Sequence, residues 1–277
     1  MTVPQFPSWI SIPSPNFHPG RKPGIPIKGL IIHYTAAGSG KGSAEYFSKR
    51  EVSWTENGVL KTAKVQAAAQ LVIDRDGTVY QCTDLNDRAW HAGPATLWQG
   101  KTLAKGQNVN DWTIGIEIAN WGQLQRPKLD HELVNYMGKP YKGPPPFVDS
   151  SHPGTLTYWE PYPEAQVVAV IKAAKLLVNL YPAIVRGNVF GHKDVQPVNK
   201  IDPGPAWPME RFLDEVFGDD DALKDGLNAF EDDNRAGHYD EAAEMCLVEP
   251  KAELQPKIEA ETTVEVSASK KKSAPKK

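Results

Sequence analysis

The sequence predicts an α/β fold: a mixed central β-sheet flanked by helices, with a flexible C-terminal tail. Three observations carry that expectation. Short apolar, β-rich runs are interleaved along residues 28–217 with runs whose apolar residues recur at helical spacing, the pattern of a layered α/β domain. Asp76-Gly77, a strong turn signal, joins two of the β-rich runs as a hairpin. The hydrophobic share of 40% over 277 residues is enough for one real core.

Taken in order, residues 1–27 are Pro-rich and read as an extended arm over the surface. "KGLIIHY", residues 28–34, is a short apolar strand that reaches His33 and then a Gly and Ser loop. "SAEYFSKRE" reads as a short helix with Ser43 as its N-cap. "QLVIDRDGTVYQCTD" is the hairpin. In "WTIGIEIANWG" the alternation sets Ile114, Ile116 and Ile118 on one face and Glu117, with Gly115 and Ala119, on the other. Residues 123–163, centred on "KGPPPFVDSSHPG", read as one long irregular loop, a length that is usually functional or disordered. A helix of about 20 residues ends at Pro182. "NVFGH" is then a short buried strand ending at His192, "GHKDVQPVNKIDPG" a strand-to-helix loop, and "PMERFLDEVF" the last helix.

From Gly218 the composition shifts. Residues 218–277 carry 9 Lys or Arg against 15 Asp or Glu, whereas residues 1–217 carry 22 against 19. The tail, 218–277, is expected to be acidic and partly disordered, its last 30 residues being poor in aromatics. The mildly basic body suits an anionic polymer as well as an ordinary soluble surface, and it lacks the dense basic stripe of a nucleic-acid binder. No stretch approaches a membrane span and no secretory signal is visible, so synthesis in a cytoplasm is expected. Cys82 and Cys246 lie in unlike contexts and make no disulfide framework.

Three potential metal ligands stand at the ends of core elements: His33, His192 and Asp202. Two imidazoles and one carboxylate leave a fourth tetrahedral position open, the pattern of a catalytic rather than a closed structural zinc. Either histidine taken singly is more often a satisfied core or surface residue.

Five ordered blocks, "IIHYTA", "LVIDRDGTVYQ", "RAWHAG", "TIGIEIAN" and "FGHKDVQPVNKIDPGP", resemble the zinc-dependent N-acetylmuramoyl-L-alanine amidases of the type 2 family over roughly residues 28–217. That family includes amidase-type phage lysozymes, muropeptide amidases and peptidoglycan recognition proteins. The resemblance implies Zn2+ on His33, His192 and Asp202, Glu117 as general base, and Lys200 as a stabiliser of the developing oxyanion. It puts His91 along the cleft, in contact with substrate or in a structural role. Trp54, Trp98 and Trp159 are available for stacking on sugar rings, with core or rim packing as the alternative. One departure is informative: phage-lysozyme and recognition-protein members tend to carry Tyr near the start of the strand before "DRDG", and other members a His beside it. Here Ala69 and Gln70 stand there, which shifts the base role to Glu117 and resembles the muropeptide-amidase branch. The implied partner is peptidoglycan or a muropeptide, with no nucleic acid and no membrane span, acted on by a monomer. The long loop 123–163 favours a large substrate and hence a phage or prophage endolysin. A cytoplasmic muropeptide-recycling amidase and a non-catalytic muropeptide-binding module are the alternatives.

Overall fold

Two short arm strands, β1 (Ile10–Ser11) and β2 (Phe17–His18), open the computed structural model, which describes residues 9–127 and 131–218. The expectations for residues 1–8 of the arm and for the tail beyond Gly218 lie outside the described residues. β3 (Gly29–Tyr34) and α1 (Gly40–Phe47) follow, then two hairpins, β4 (Glu51–Glu56) with β5 (Val59–Lys64) and β6 (Leu71–Ile73) with β7 (Val79–Gln81). Three two-residue strands, β8 (Arg88–Ala89), β9 (Leu97–Trp98) and β10 (Lys101–Thr102), lead to β11 (Thr113–Ile118). β12 (Gln123–Leu124), β13 (Phe147–His152) and β14 (Thr155–Trp159) precede α2 (Glu164–Leu180), β15 (Val189–Gly191), α3 (His192–Val195) and α4 (Met209–Phe217).

The central sheet has the order β1-β7-β6-β11-β3-β15. β11, β3 and β15 are mutually parallel, β6 is parallel to β11, and the β6–β7 hairpin is antiparallel, so the sheet is mixed as the sequence predicts. Period-2 alternation sorts its two faces. Leu30, Ile32, Ile114, Ile116 and Ile118 join Val167, Val170, Ile171 and Leu177 of α2 and Phe212 of α4 in the main core. On the other face Val72 and Tyr80 pack with Ala44 and Phe47 of α1. α2 begins at Pro163 with no side-chain cap. Its place is therefore set by the buried stripe, each fully buried aliphatic being worth about 1.5–3 kcal/mol.

The structure corrects several local expectations. Ser39, not Ser43, caps α1: its Oγ accepts from the Gly42 N–H at 3.1 Å, while Ser43, already one turn inside, donates to the Ser39 carbonyl at 2.9 Å. The arm is also more than a surface strap. β1 extends the sheet edge, pairing Ile10 with Tyr80, and β2 pairs with β8. Arg21 donates to the carbonyls of Leu85, Asn110 and Thr113, and Lys22 and Arg88 both meet the buried Asp111 at 2.6 Å. These contacts brace the start of β11 and the segment before His91.

Residues 123–163 are not irregular throughout. β12, β14 and β13 form a separate antiparallel sheet, with Phe147 opposite Trp159. The signal was the Pro153-Gly154 turn, Gly154 having φ +77°, between two β-rich runs, overshadowed by the neighbouring "KGPPP". The β4–β5 hairpin turns at Asn57-Gly58, both with positive φ, a strong two-residue hairpin signal. Both its strands are largely exposed, so no hydrophobic alternation marks them.

Candidate metal centre

Strand register brings the site together. β11 lies in register with β3 so that Glu117 stands opposite His33, and β15 aligns Gly191 with Ile32, setting His192 beside His33 at the next position. The chemistry-bearing groups thus collect at the carboxyl ends of three adjacent parallel strands, where open α/β sheets place their ligands. The strand-to-helix loop expected after β15 starts with the helical turn α3, then returns so that the Lys193 N–H donates to the Asp202 carbonyl at 3.0 Å. Gly191 permits that return. A Cβ there would come 2.5 Å from Pro203 Cδ. Gly191→Ala is expected to destabilise the domain by about 1–3 kcal/mol, the usual cost of overpacking, and to weaken metal retention. Thermal melting identical to that of the parent chain would show that the loop yields without cost.

His33 Nδ1 lies 3.0 Å from His192 Nδ1, and each is 3.1 Å from Asp202 Oδ2. All three residues are buried, and they form a metal-capable group among the described residues. Ligands about 2.0–2.1 Å from a tetrahedral zinc stand roughly 3.3 Å apart, so a triangle of this size accepts the ion with little movement. The donor chemistry agrees, because burial lowers the His33 imidazole to about 4 and keeps it neutral. Burial alone would raise the Asp202 carboxyl, but its contacts with His192 and His33 outweigh that and hold it well below the usual carboxylate range. Two imidazoles and a carboxylate are a borderline-soft set suited to zinc.

Glu117 is half-buried beside the triangle. Burial, then the Asp202 charge, pushes its carboxyl up to about 8, with Lys200 opposing the rise. Its Oε2 has no hydrogen-bond partner, an orphan that fits a carboxylate awaiting a water or a cation. Glu117 also lines a groove of about 680 Å3 walled by Tyr46 and Ser43 of α1, Thr35, and Tyr136 of the inserted segment. Lys200 is half-buried on the loop between α3 and Asp202 and lines a second cavity with Trp159 and Lys193.

Of the two roles expected of His91, substrate contact or a structural one, its position fits the structural one. It is buried, its Nδ1 lies 3.1 Å from His33 Nε2 and its Nε2 3.1 Å from Thr113 Oγ1, so both ring nitrogens are occupied. Trp54 stands 45% exposed on β4 opposite Lys61 and takes no part in the cluster. Trp98 packs edge-on against Trp112 and Phe190, and Trp159 is buried, so packing describes both better than sugar stacking. Gln70, at the position where other members carry a different side chain, is buried and ties strands together, accepting from the Gly115 N–H at 2.8 Å and donating to the Asp87 carbonyl at 2.9 Å.

Two site residues escape a sequence reading. Thr113 shares the Glu117 face at period 2, a legible signal, whereas nothing in the sequence distinguishes Gln196, whose Oε1 lies 3.1 Å from His192 Nε2.

Residues 23–205 match a family profile described as N-acetylmuramoyl-L-alanine amidase. The chain is 31% identical over 150 residues, 54% of its length, to the 1,6-anhydro-N-acetylmuramyl-L-alanine amidase AmpD of Enterobacter cloacae. It is 27% identical over 192 residues, 69% of its length, to the N-acetylmuramoyl-L-alanine amidase AmiD of Escherichia coli K12. The matches span 57% and 54% of those relatives' own lengths. A solved structure of Escherichia coli AmiD in complex with an anhydro-N-acetylmuramic acid peptide is similar with a TM-score of 0.48 and 24% identity, covering 72% of this chain and 61% of that one.

Proposed function

From the membership of this chain in the N-acetylmuramoyl-L-alanine amidase family, we propose that it is a zinc hydrolase that cleaves the amide between N-acetylmuramic acid and L-alanine in muropeptides. The observation that carries the reading is the buried His33, His192 and Asp202 triangle beside a carboxylate with an unpartnered oxygen. His33, His192 and Asp202 would hold the ion. When bound, zinc supplies Lewis acidity toward an amide carbonyl and lowers the pKa of water toward ~7. Glu117 takes the proton of the attacking water and returns it to the departing nitrogen. Its lifted affinity for a proton suits that exchange; Lys200 opposes the rise, and a cation held by the triangle would oppose it further. The Lys200 ammonium balances negative charge as it grows on the carbonyl oxygen, which favours the transition state over the neutral amide.

Soluble muropeptides, rather than intact wall attacked by a phage endolysin, are the substrate this reading favours. Relatives in sequence include proteins named as anhydromuramyl amidases, and part of the insertion that suggested a wall-sized groove forms an antiparallel sheet. No helix among the described residues is long and apolar enough to cross a membrane. A purely binding module is disfavoured because all three ligands and the base are present together.

The test is to supply the zinc-loaded chain with an anhydro-muropeptide and, separately, with purified wall, and to assay new N-terminal alanine. Faster release from the soluble substrate is expected. Preferential release from intact wall would restore the lytic role, and no new alanine from either would remove the amidase reading.

A further inference from the structure

A histidine ligates through a lone pair, so His33 can present Nδ1 to a metal only with its ring proton on Nε2. In a buried site that N–H needs an acceptor, and the atom in reach is His91 Nδ1 at 3.1 Å. His91 accepts there only if its own proton sits on Nε2, which faces Thr113 Oγ1 at 3.1 Å. The hydroxyl is able to accept because its hydrogen goes to the Val109 carbonyl oxygen, 2.8 Å away, a group that cannot donate. With His33 ligating through Nδ1, the row therefore runs in one direction, from His33 through His91 and Thr113 to Val109. His192 is treated alike by a shorter device: its Nε2 is 3.1 Å from Gln196 Oε1, and Gln196 is anchored by its own N–H on the His192 carbonyl at 2.9 Å.

Sequence and packing are arranged around the longer row. Thr113, Gly115 and Glu117 alternate along one face of β11, and a Cβ at 115 would lie 2.5 Å from His91 Cγ. The missing side chain is the space that the His91 ring occupies.

We infer that His91, backed by Thr113, and Gln196 are positioning residues that hold His33 and His192 in the Nε2–H tautomer, turning both Nδ1 lone pairs toward the metal. The inference rests on the zinc reading above. A histidine that merely fills the core would make no demand on which nitrogen carries the proton, or on a hydroxyl at 113.

The test uses the full chain and two readouts other than activity. Zinc affinity is measured by competition with a chelator for the parent, Thr113→Val and Thr113→Ser. Long-range proton–nitrogen spectra of the zinc-loaded parent, labelled with 15N-histidine, report the tautomers. Thr113→Val is expected to bind zinc about 10–100-fold more weakly, the range for losing an outer partner of a ligand, while Thr113→Ser keeps parental affinity. His91 should carry its proton on Nε2 and be bare at Nδ1. Equal affinity in Thr113→Val, weakening as large in Thr113→Ser, or a proton on His91 Nδ1 would overturn the inference while leaving the zinc reading intact. A parent chain that takes up no zinc would overturn both. Should Thr113→Val not fold, the parent's spectra still decide.

Discussion

Glu117→Gln is expected to keep its fold and its zinc while losing turnover by roughly 100-fold or more, the scale for removing a general base. The substitution is nearly isosteric and leaves the three ligands untouched, so only proton transfer is removed. Loss of kcat without loss of bound metal is the diagnostic pair of measurements. Near-parental turnover would move the proton acceptor elsewhere. The same variant has a stability signature in the metal-free protein. Burial lifts the Glu117 carboxyl from its ordinary value of 4.5 to about 8, so the unfolded chain gives up this proton first as pH rises. The contribution of Glu117 is fully present below about pH 4.5 and is lost progressively up to about pH 8. Glu117→Gln should therefore flatten the decline in melting temperature across that window. A decline as steep as the parent's would show that Glu117 is not the group responsible.

Removing the metal, or a ligand to it, should have a larger effect on activity than any change around it. Chelation of the parent is expected to reduce amide hydrolysis to background while the domain remains folded, because Leu30, Ile32, Ile116, Leu177 and Phe212 form a core that owes nothing to the triangle. That separates an open catalytic site from a structural zinc, whose loss unfolds the domain. His33→Ala should fail to retain zinc through dialysis and show only background turnover. Asp202→Ala should bind weakly and recover part of its turnover when zinc is added in excess, since the two imidazoles remain. Full zinc occupancy in both variants would remove these residues from the ligand set, and unfolding on chelation would recast the ion as structural.

Comparison of particular elements shows why some features are legible in advance. β3, β11, α2 and α4 follow from hydrophobic periodicity, and the β6–β7 turn follows from Asp76-Gly77, because each is a local pattern imposed by backbone geometry. Ser39 and Ser43 are equally good α1 caps in sequence, one turn apart, and only the path of the loop chooses between them. The inserted sheet was hidden by prolines whose turn-forming tendency outweighs, locally, the β-propensity of "FVDSSH" and "TLTYW".

By itself the sequence determined the α/β class, the strands that carry His33 and Glu117 and the one that leads into His192, and, through five ordered motifs, the family and its expected ligands. Only the tertiary structure decided that His91 stands behind His33 instead of along the cleft, that Gln196 backs His192, and that Trp54 lies apart on an exposed hairpin. The reason is the range of the interactions. Periodicity and turn chemistry act over a few residues, whereas His33 meets Asp202 across 169 positions and His91 across 58. Those meetings depend on parallel strand register, where a slip of one residue would turn Glu117 and His33 to the opposite face.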